Sequence, residues 1–387
     1  MDFRFTAEEE AFRREVHEFL EQELSKPEYQ TWGPSRQFRP EFTRMLAQMG
    51  WLGVGWPKEY GGLGRPYMQQ LIYGEEIMYH RAPTGANVLG QNMVGPALIQ
   101  VGSDEHKMEF LPRILRGEVV FCLGYTEPGA GSDLAALQTQ ARAEGDCYVI
   151  TGQKTLISMA KQADYCWLGA RTDPNAPKHR GISLFIVDMK TPGITVRPIE
   201  TMADMEIYEV FFDDVRVPRS ALVGEANRGW YYIATALDHE RVFMGAAIAG
   251  HRRTFEDLVE YAKETRHNGK PLSSGPIIRQ KLAQLAVELE VGRMLGYRVA
   301  WVLSKGVVPY HEASVAKVFT SELERQLTNV GMQIMGLVGL LKEGSRWAPL
   351  KGYMEWAYRM SILCAIGGGA NEIQRNIIAL VGLGLPR

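Results

Sequence analysis

The chain has 387 residues, 45% of them hydrophobic and 23% charged, with a formal net charge of -2. At about 150 residues per domain this length predicts two or three domains with a substantial core, and so small a net charge gives no electrostatic reason to expect nucleic acid or an acidic membrane as partner. No run approaches the roughly 20 apolar residues needed to cross a bilayer, and the first ten residues are acidic where a signal peptide needs an apolar core. A cytoplasmic enzyme of small-molecule chemistry, without membrane insertion, is expected. Cys122, Cys147, Cys166 and Cys364 show no CxxC spacing, so they read as buried thiols, with no disulfide framework and no metal expected.

From Thr6 to about Leu115 the apolar spacing is helical: Phe12, Val16, Phe19 and Leu20 share one face, and Thr6 with Glu9 reads as a capping box. Within this stretch the run from Gly55 to Gly64 carries too many breakers for a helix and predicts an ordered loop. Between about Val119 and Val223 short β-rich runs take over, among them Tyr148 to Ile150, Ile182 to Val187 and Val210 to Phe212. From Gly229 the helical period returns, with helices predicted near 230–265, 276–304, 311–335 and 347–365 and a short one near 371–381. The fold class is therefore α+β, with an N-terminal helical domain at 1–118, a middle β domain at 119–228 and a C-terminal four-helix bundle at 229–387.

Two segments bear on chemistry. The run from Tyr125 to Asp133 holds a proline and two glycines, which leave backbone N–H groups accessible, and the hydroxyls of Thr126 and Ser132 can donate to a polar ligand edge. A plain surface loop explains it equally well. Farther on, Ile233, Leu237, Glu240, Met244 and Ala247 are spaced by four, three, four and three residues, so Glu240 interrupts an apolar helix face. A carboxylate on such a stripe is either ion-paired or functional.

Taken together, the Pro57–Gly64 loop, the Tyr125–Asp133 run, Gly152-Gln153-Lys154, Asp213 to Pro218 and Glu372 to Asn376 resemble the acyl-CoA dehydrogenase family, in order and over essentially the whole chain. The resemblance implies three domains, helical, β and helical, with FAD between the β domain and the bundle. It implies that Tyr125 and Thr126 lie along the flavin, Thr126 on the pyrimidine side, that Ser132 touches cofactor and substrate, and that Ser158 stands near N5. Leu156 occupies a position where many members carry a tryptophan against the ring. Arg266 matches an arginine that reaches the FAD pyrophosphate, a role suited to a charge-assisted donor. Gln333 and Gly336 match a second cofactor segment, in which Leu337 replaces a glycine, and Glu372 matches a further cofactor contact. In the family that segment and the arginine come from a neighbouring subunit, which implies a homo-oligomer, dimer or tetramer.

The chemistry of such an enzyme needs a carboxylate at the α carbon of a thioester and donors on its carbonyl oxygen. Where many members place a glutamate, before the last helix, this chain has Gly368. The sequence Leu237-Asp238-His239-Glu240-Arg241 instead resembles the arrangement of isovaleryl-CoA dehydrogenase, which implies Glu240 as the base and Asp238 and Arg241 as contacts to pantetheine and the acyl portion. Gly368 retains a backbone N–H for the thioester oxygen. Glu127 is expected to hold backbone geometry. The implied reaction is α,β-dehydrogenation of an acyl-CoA to a trans-2-enoyl-CoA, with flavin N5 as hydride acceptor and electron-transferring flavoprotein as oxidant. The alternatives are a flavin monooxygenase or nitroalkane-oxidase relative of this fold, and a non-catalytic partner subunit of a hetero-oligomer.

Overall fold

The computed structural model describes residues 4–29 and 38–386, with the side chains of 235–244 outside that description. The chain forms two compact units, one of Met1–Arg36, Arg65–Ala82 and Arg241–Arg387, the other of Gln37–Gly64 and Pro83–Glu240.

In the second unit an eight-stranded sheet carries the β-rich stretch: β1 (Phe121–Gly124), β2 (Gln140–Glu144), β3 (Cys147–Ser158), β4 (Tyr165–Arg171), β5 (Ile182–Asp188), β6 (Ile194–Ile199), β7 (Ile207–Pro218) and β8 (Leu222–Val223). The order is β6-β7-β3-β2-β4-β5-β8, with β1 running parallel beside β4. The run from Ile182 to Val187, apolar apart from Ser183, is explained by burial of both its faces. Leu184 and Ile186 join a core with Trp56, Phe110 and Trp167, while Phe185 and Val187 join one with Tyr208 and Phe212. The breaker-rich loop is ordered, as its composition predicts. Gly62 N donates to Pro57 O at 3.2 Å and Gly64 N to Trp56 O at 2.9 Å. A Cβ on Gly62 would stand 2.2 Å from Trp56 O, so only glycine fits the turn.

The first unit is helical. Its opening helix, α1 (Ala7–Leu24), has the capping box read from sequence: Glu9 N donates to Thr6 Oγ1 at 3.2 Å and Thr6 N to Glu9 Oε2 at 2.7 Å. Phe12, Val16, Leu20 and Leu24 are buried. The bundle helices run Gly229–Glu264, Pro276–Ser304, Tyr310–Met335 and Tyr353–Cys364, followed by Asn371–Ile377. The fourth starts later than the periodicity predicts, because Pro349–Gly352 is a 3-10 turn with Leu350 at φ 48° and Lys351 at φ 56°, outside α-helical backbone. No described helix is long and apolar enough to cross a membrane. The four cysteines are free; Cys122 and Cys166 are buried, whereas Cys147 and Cys364 are half-buried.

One crossing fixes the helix that bears position 240. A Cβ on Gly245 would meet Gly296 Cα at 3.3 Å, and one on Gly296 would meet Gly245 O at 2.6 Å, so the two backbones touch. Gly296→Val should cost about 1–3 kcal/mol by overpacking, read as a lower denaturation midpoint, despite valine's better helix propensity than glycine's. An unchanged midpoint would show that the crossing is looser than this geometry.

Candidate active site

The loop after β1 is locked to β3 by a buried ion pair. Lys154 Nζ, with its side chain fully buried, donates to Glu127 Oε1 at 2.8 Å and to Tyr125 O at 3.1 Å. Glu127 also accepts from Gln138 N at 2.6 Å and Thr139 N at 2.9 Å, which closes the far end of the loop. Burial alone would favour the neutral acid, but the Lys154 charge and these bonds hold the Glu127 carboxyl below the usual carboxylate range. Glu127 is thus a structural residue. Lys154 was missed as its partner, although an inward-facing lysine amid Ile150 and Ile157 is the signal that finds it.

The same lacing brings four of the expected residues onto neighbouring segments. Thr155 N donates to Thr126 O at 2.9 Å, so Tyr125 and Thr126 lie against the strand end that carries Leu156 and Ser158. There β3 bulges: its pairing to β7 passes from Lys154 opposite Val210 to Ile157 opposite Tyr208, with one residue in excess. Leu156 sits in the bulge at φ 57°, in the left-handed region a branched side chain rarely adopts, and is 55% exposed. Ser132 lies farther along the loop, exposed, beside Asp133, which pairs with Lys178 at 2.9 Å. Among the described residues the hydroxyls of Thr126, Ser132 and Ser158 have no protein partner, and a Cβ on Gly129 or Gly131 would meet nothing within 4 Å. Accessible backbone, uncommitted hydroxyls and an exposed apolar side chain on an adjoining strand suit a flat heteroaromatic ring with a polar edge.

In the helical unit, Gly368 and Glu372 belong to one loop and the helix it enters. Gly368 and Gly369 have φ of 66° and 92°, a conformation that favours glycine. The loop's ends are pinned by Lys317, which donates to Asn371 Oδ1 at 2.7 Å and Ala365 O at 3.2 Å; Asn371 N donates to Ala365 O at 2.9 Å. Burial pushes the Lys317 ammonium below the usual lysine range. Sequence reading overlooked both residues, though Lys317 falls on the same helix face as Ala313, Thr320 and Leu327. Glu372 is exposed in the first turn of its helix. Arg266 stands exposed on a two-stranded hairpin, its Nη1 donating to Gly269 O at 3.2 Å. Gln333 Oε1 accepts from Lys281 Nζ, and Gly336 ends its helix at φ 61°. Glu240, Asp238 and Arg241 lie within the helix Gly229–Glu264, but their side chains fall outside the described residues.

Family models described as the acyl-CoA dehydrogenase N-terminal, middle and C-terminal domains match residues 6–118, 122–215 and 227–383. The chain belongs to the acyl-CoA dehydrogenase family. It is 38% identical to the acyl-CoA dehydrogenase FadE26 of Mycobacterium tuberculosis, covering 100% of this chain and 99% of that one. Of solved structures, it is similar to the "Tcur3481-Tcur3483 steroid ACAD", with TM-score 0.93, 37% identity and complete coverage of both chains. It is likewise similar to the ChsE4-ChsE5 complex of Mycobacterium tuberculosis, with TM-score 0.90, 38% identity and complete coverage of both. The resemblance read from the motifs is therefore correct, as is the order of helical, sheet and helical domains. This family of flavin-dependent oxidoreductases acts on acyl thioesters, so the chain's chemistry is acyl-CoA dehydrogenation in general terms.

Proposed function

We propose that this acyl-CoA dehydrogenase uses FAD to dehydrogenate a bulky, polycyclic acyl-CoA at its α and β carbons, with Glu240 as the base, and that it works in assembly with a second, related chain. The observation that carries the base assignment is Gly368: the loop position where relatives hold a glutamate has no side chain and a left-handed backbone, which leaves the carboxylate at 240 to take the proton. Thr126 and Ser158 hold the polar edge and the central region of the flavin, Leu156 covers its face, and Tyr125 and Ser132 line its loop. Bound there, FAD supplies the hydride acceptor at N5. Gly368 N–H steadies the thioester oxygen as negative charge develops on it, while Asp238 and Arg241 hold the thioester arm. Arg266, Gln333 and Gly336 serve the cofactor's phosphate and nucleotide portion across a subunit boundary, and Glu372 adds a further cofactor contact. Electron-transferring flavoprotein accepts the electrons.

The polycyclic substrate and the second chain are favoured by two relatives similar over their full length, one described as the "Tcur3481-Tcur3483 steroid ACAD" and the other as the ChsE4-ChsE5 complex. A homodimer or homotetramer is the competing assembly. The test is anaerobic flavin bleaching with a panel of acyl-CoA esters, on the chain alone and co-expressed with a related chain. Steroid-derived thioesters should bleach the flavin at least about tenfold faster than straight-chain ones, a preference of about 1.4 kcal/mol. Faster bleaching by straight-chain esters would remove the substrate assignment, and full flavin content with turnover in a single-component preparation would remove the second chain.

A further inference from the structure

Far from the loop of the flavin site in sequence, α1 meets the helix Tyr67–Tyr79 through a cluster that the reaction does not use. His17 Nδ1 lies 2.9 Å from Glu76 Oε2, and His80 Nε2 lies 3.2 Å from His17 Nδ1 and 3.6 Å from Glu76 Oε2. Glu76 and His80 are one helical turn apart, so both side chains leave the same face. Three donor atoms around a tetrahedral zinc ion, each about 2.0–2.1 Å from the metal, stand about 3.3 Å from one another. The three separations fall around that value. A hydrogen-bond network satisfies the trio less well. If His17 Nδ1–H donates to the carboxylate, His80 must either turn an N–H toward that same N–H or compete for its proton. A single cation satisfies all three lone pairs together.

The surroundings match a metal site rather than a chance contact. Arg13 Nη1 donates at 2.8 Å to Glu76 Oε1, the other carboxylate oxygen, which orients the group and leaves Oε2 toward the histidines. Behind His17, Nε2 lies 3.8 Å from Glu21 Oε2, beyond hydrogen-bond reach, so this carboxylate contributes negative charge without orienting the ring. The Glu76 and His80 side chains are 7% and 9% exposed and that of His17 42%, which leaves one coordination position open to water on the His17 side.

We propose that His17, Glu76 and His80 bind a divalent ion of zinc-like preference, with water as fourth ligand, and that the ion clips α1 to the helix Tyr67–Tyr79. Two imidazoles and a carboxylate select zinc over calcium or magnesium. The cysteine spacing from which no metal was expected does not bear on this set, which holds no cysteine and whose His17 lies 59 and 63 residues from Glu76 and His80.

The flavin-loaded full chain, stripped with a chelator and dialysed against zinc chloride, should retain about one zinc per chain, and zinc should slow amide exchange across α1. His80→Gln keeps a hydrogen-bonding side chain but removes a ligand, and should weaken zinc binding at least about tenfold with unchanged flavin content. His17→Ala should do the same. Cobalt in place of zinc should give the visible absorption of a tetrahedral site in the wild type alone. A stripped wild-type chain that takes up no zinc overturns the proposal, as does a folded His80→Gln chain that takes up as much as the wild type.

Discussion

Glu240→Gln should leave the flavin bound and slow dehydrogenation by at least about a hundredfold, the lower range for a lost general base. Glutamine keeps the size and hydrogen-bonding reach of glutamate, so what it removes is the capacity to take a proton. The loss should appear in the rate of anaerobic flavin bleaching by a saturating acyl-CoA, which reports the chemical step without product release. A chain that bleaches at nearly the wild-type rate would exclude Glu240 and return the search to other carboxylates. A proline at Gly368 is a poorer probe of the thioester's N–H donor. Its fixed φ near −65° opposes the +66° of that position, so it would rebuild the loop as well as remove the donor. Gly368→Ala, which retains the N–H at a modest conformational cost, separates the two effects.

How legible each feature is depends on how local its cause is. The capping box at Thr6 and Glu9, the breaker-rich turn at Gly62 and the doubly buried strand Ile182–Asp188 follow from residues within a few positions of one another, and each appears in the sequence as it does in the fold. Features set by distant neighbours are illegible. The exposed, left-handed Leu156 is produced by a one-residue excess against the strand Ile207–Pro218, some fifty residues away. A propensity reading sees only another apolar residue there, and even the resemblance that marks the position says nothing about the bulge. Lys317 is intermediate: its place on a buried helix face is readable, but the loop carbonyl and Asn371 it serves are not. The cofactor loop reads as ordinary until its partner strand is known, because its order comes from Lys154 and Thr155 rather than from its own composition.

That dependence sets the second large effect. Lys154→Met should destabilise the unit of Gln37–Gly64 and Pro83–Glu240 by about 3–5 kcal/mol, because it leaves the Glu127 carboxylate buried without its counter-charge. The two backbone N–H donors from Gln138 and Thr139 remain and offset part of the desolvation, so the cost should lie toward the lower end. Glu127→Gln removes the opposite charge and should also destabilise, since the buried Lys154 ammonium is then left with neutral acceptors only. The double substitution should cost less than the sum of the two, because neither buried charge survives and the glutamine oxygen still accepts from the loop. Denaturant unfolding followed by far-UV circular dichroism gives the cycle, and flavin content gives its consequence, since the Tyr125 and Thr126 backbone loses an anchor. Additive costs would mean that the two charges do not act as a pair. A loss of less than about 1 kcal/mol in Lys154→Met, the range of an exposed ion pair, would mean that water reaches both.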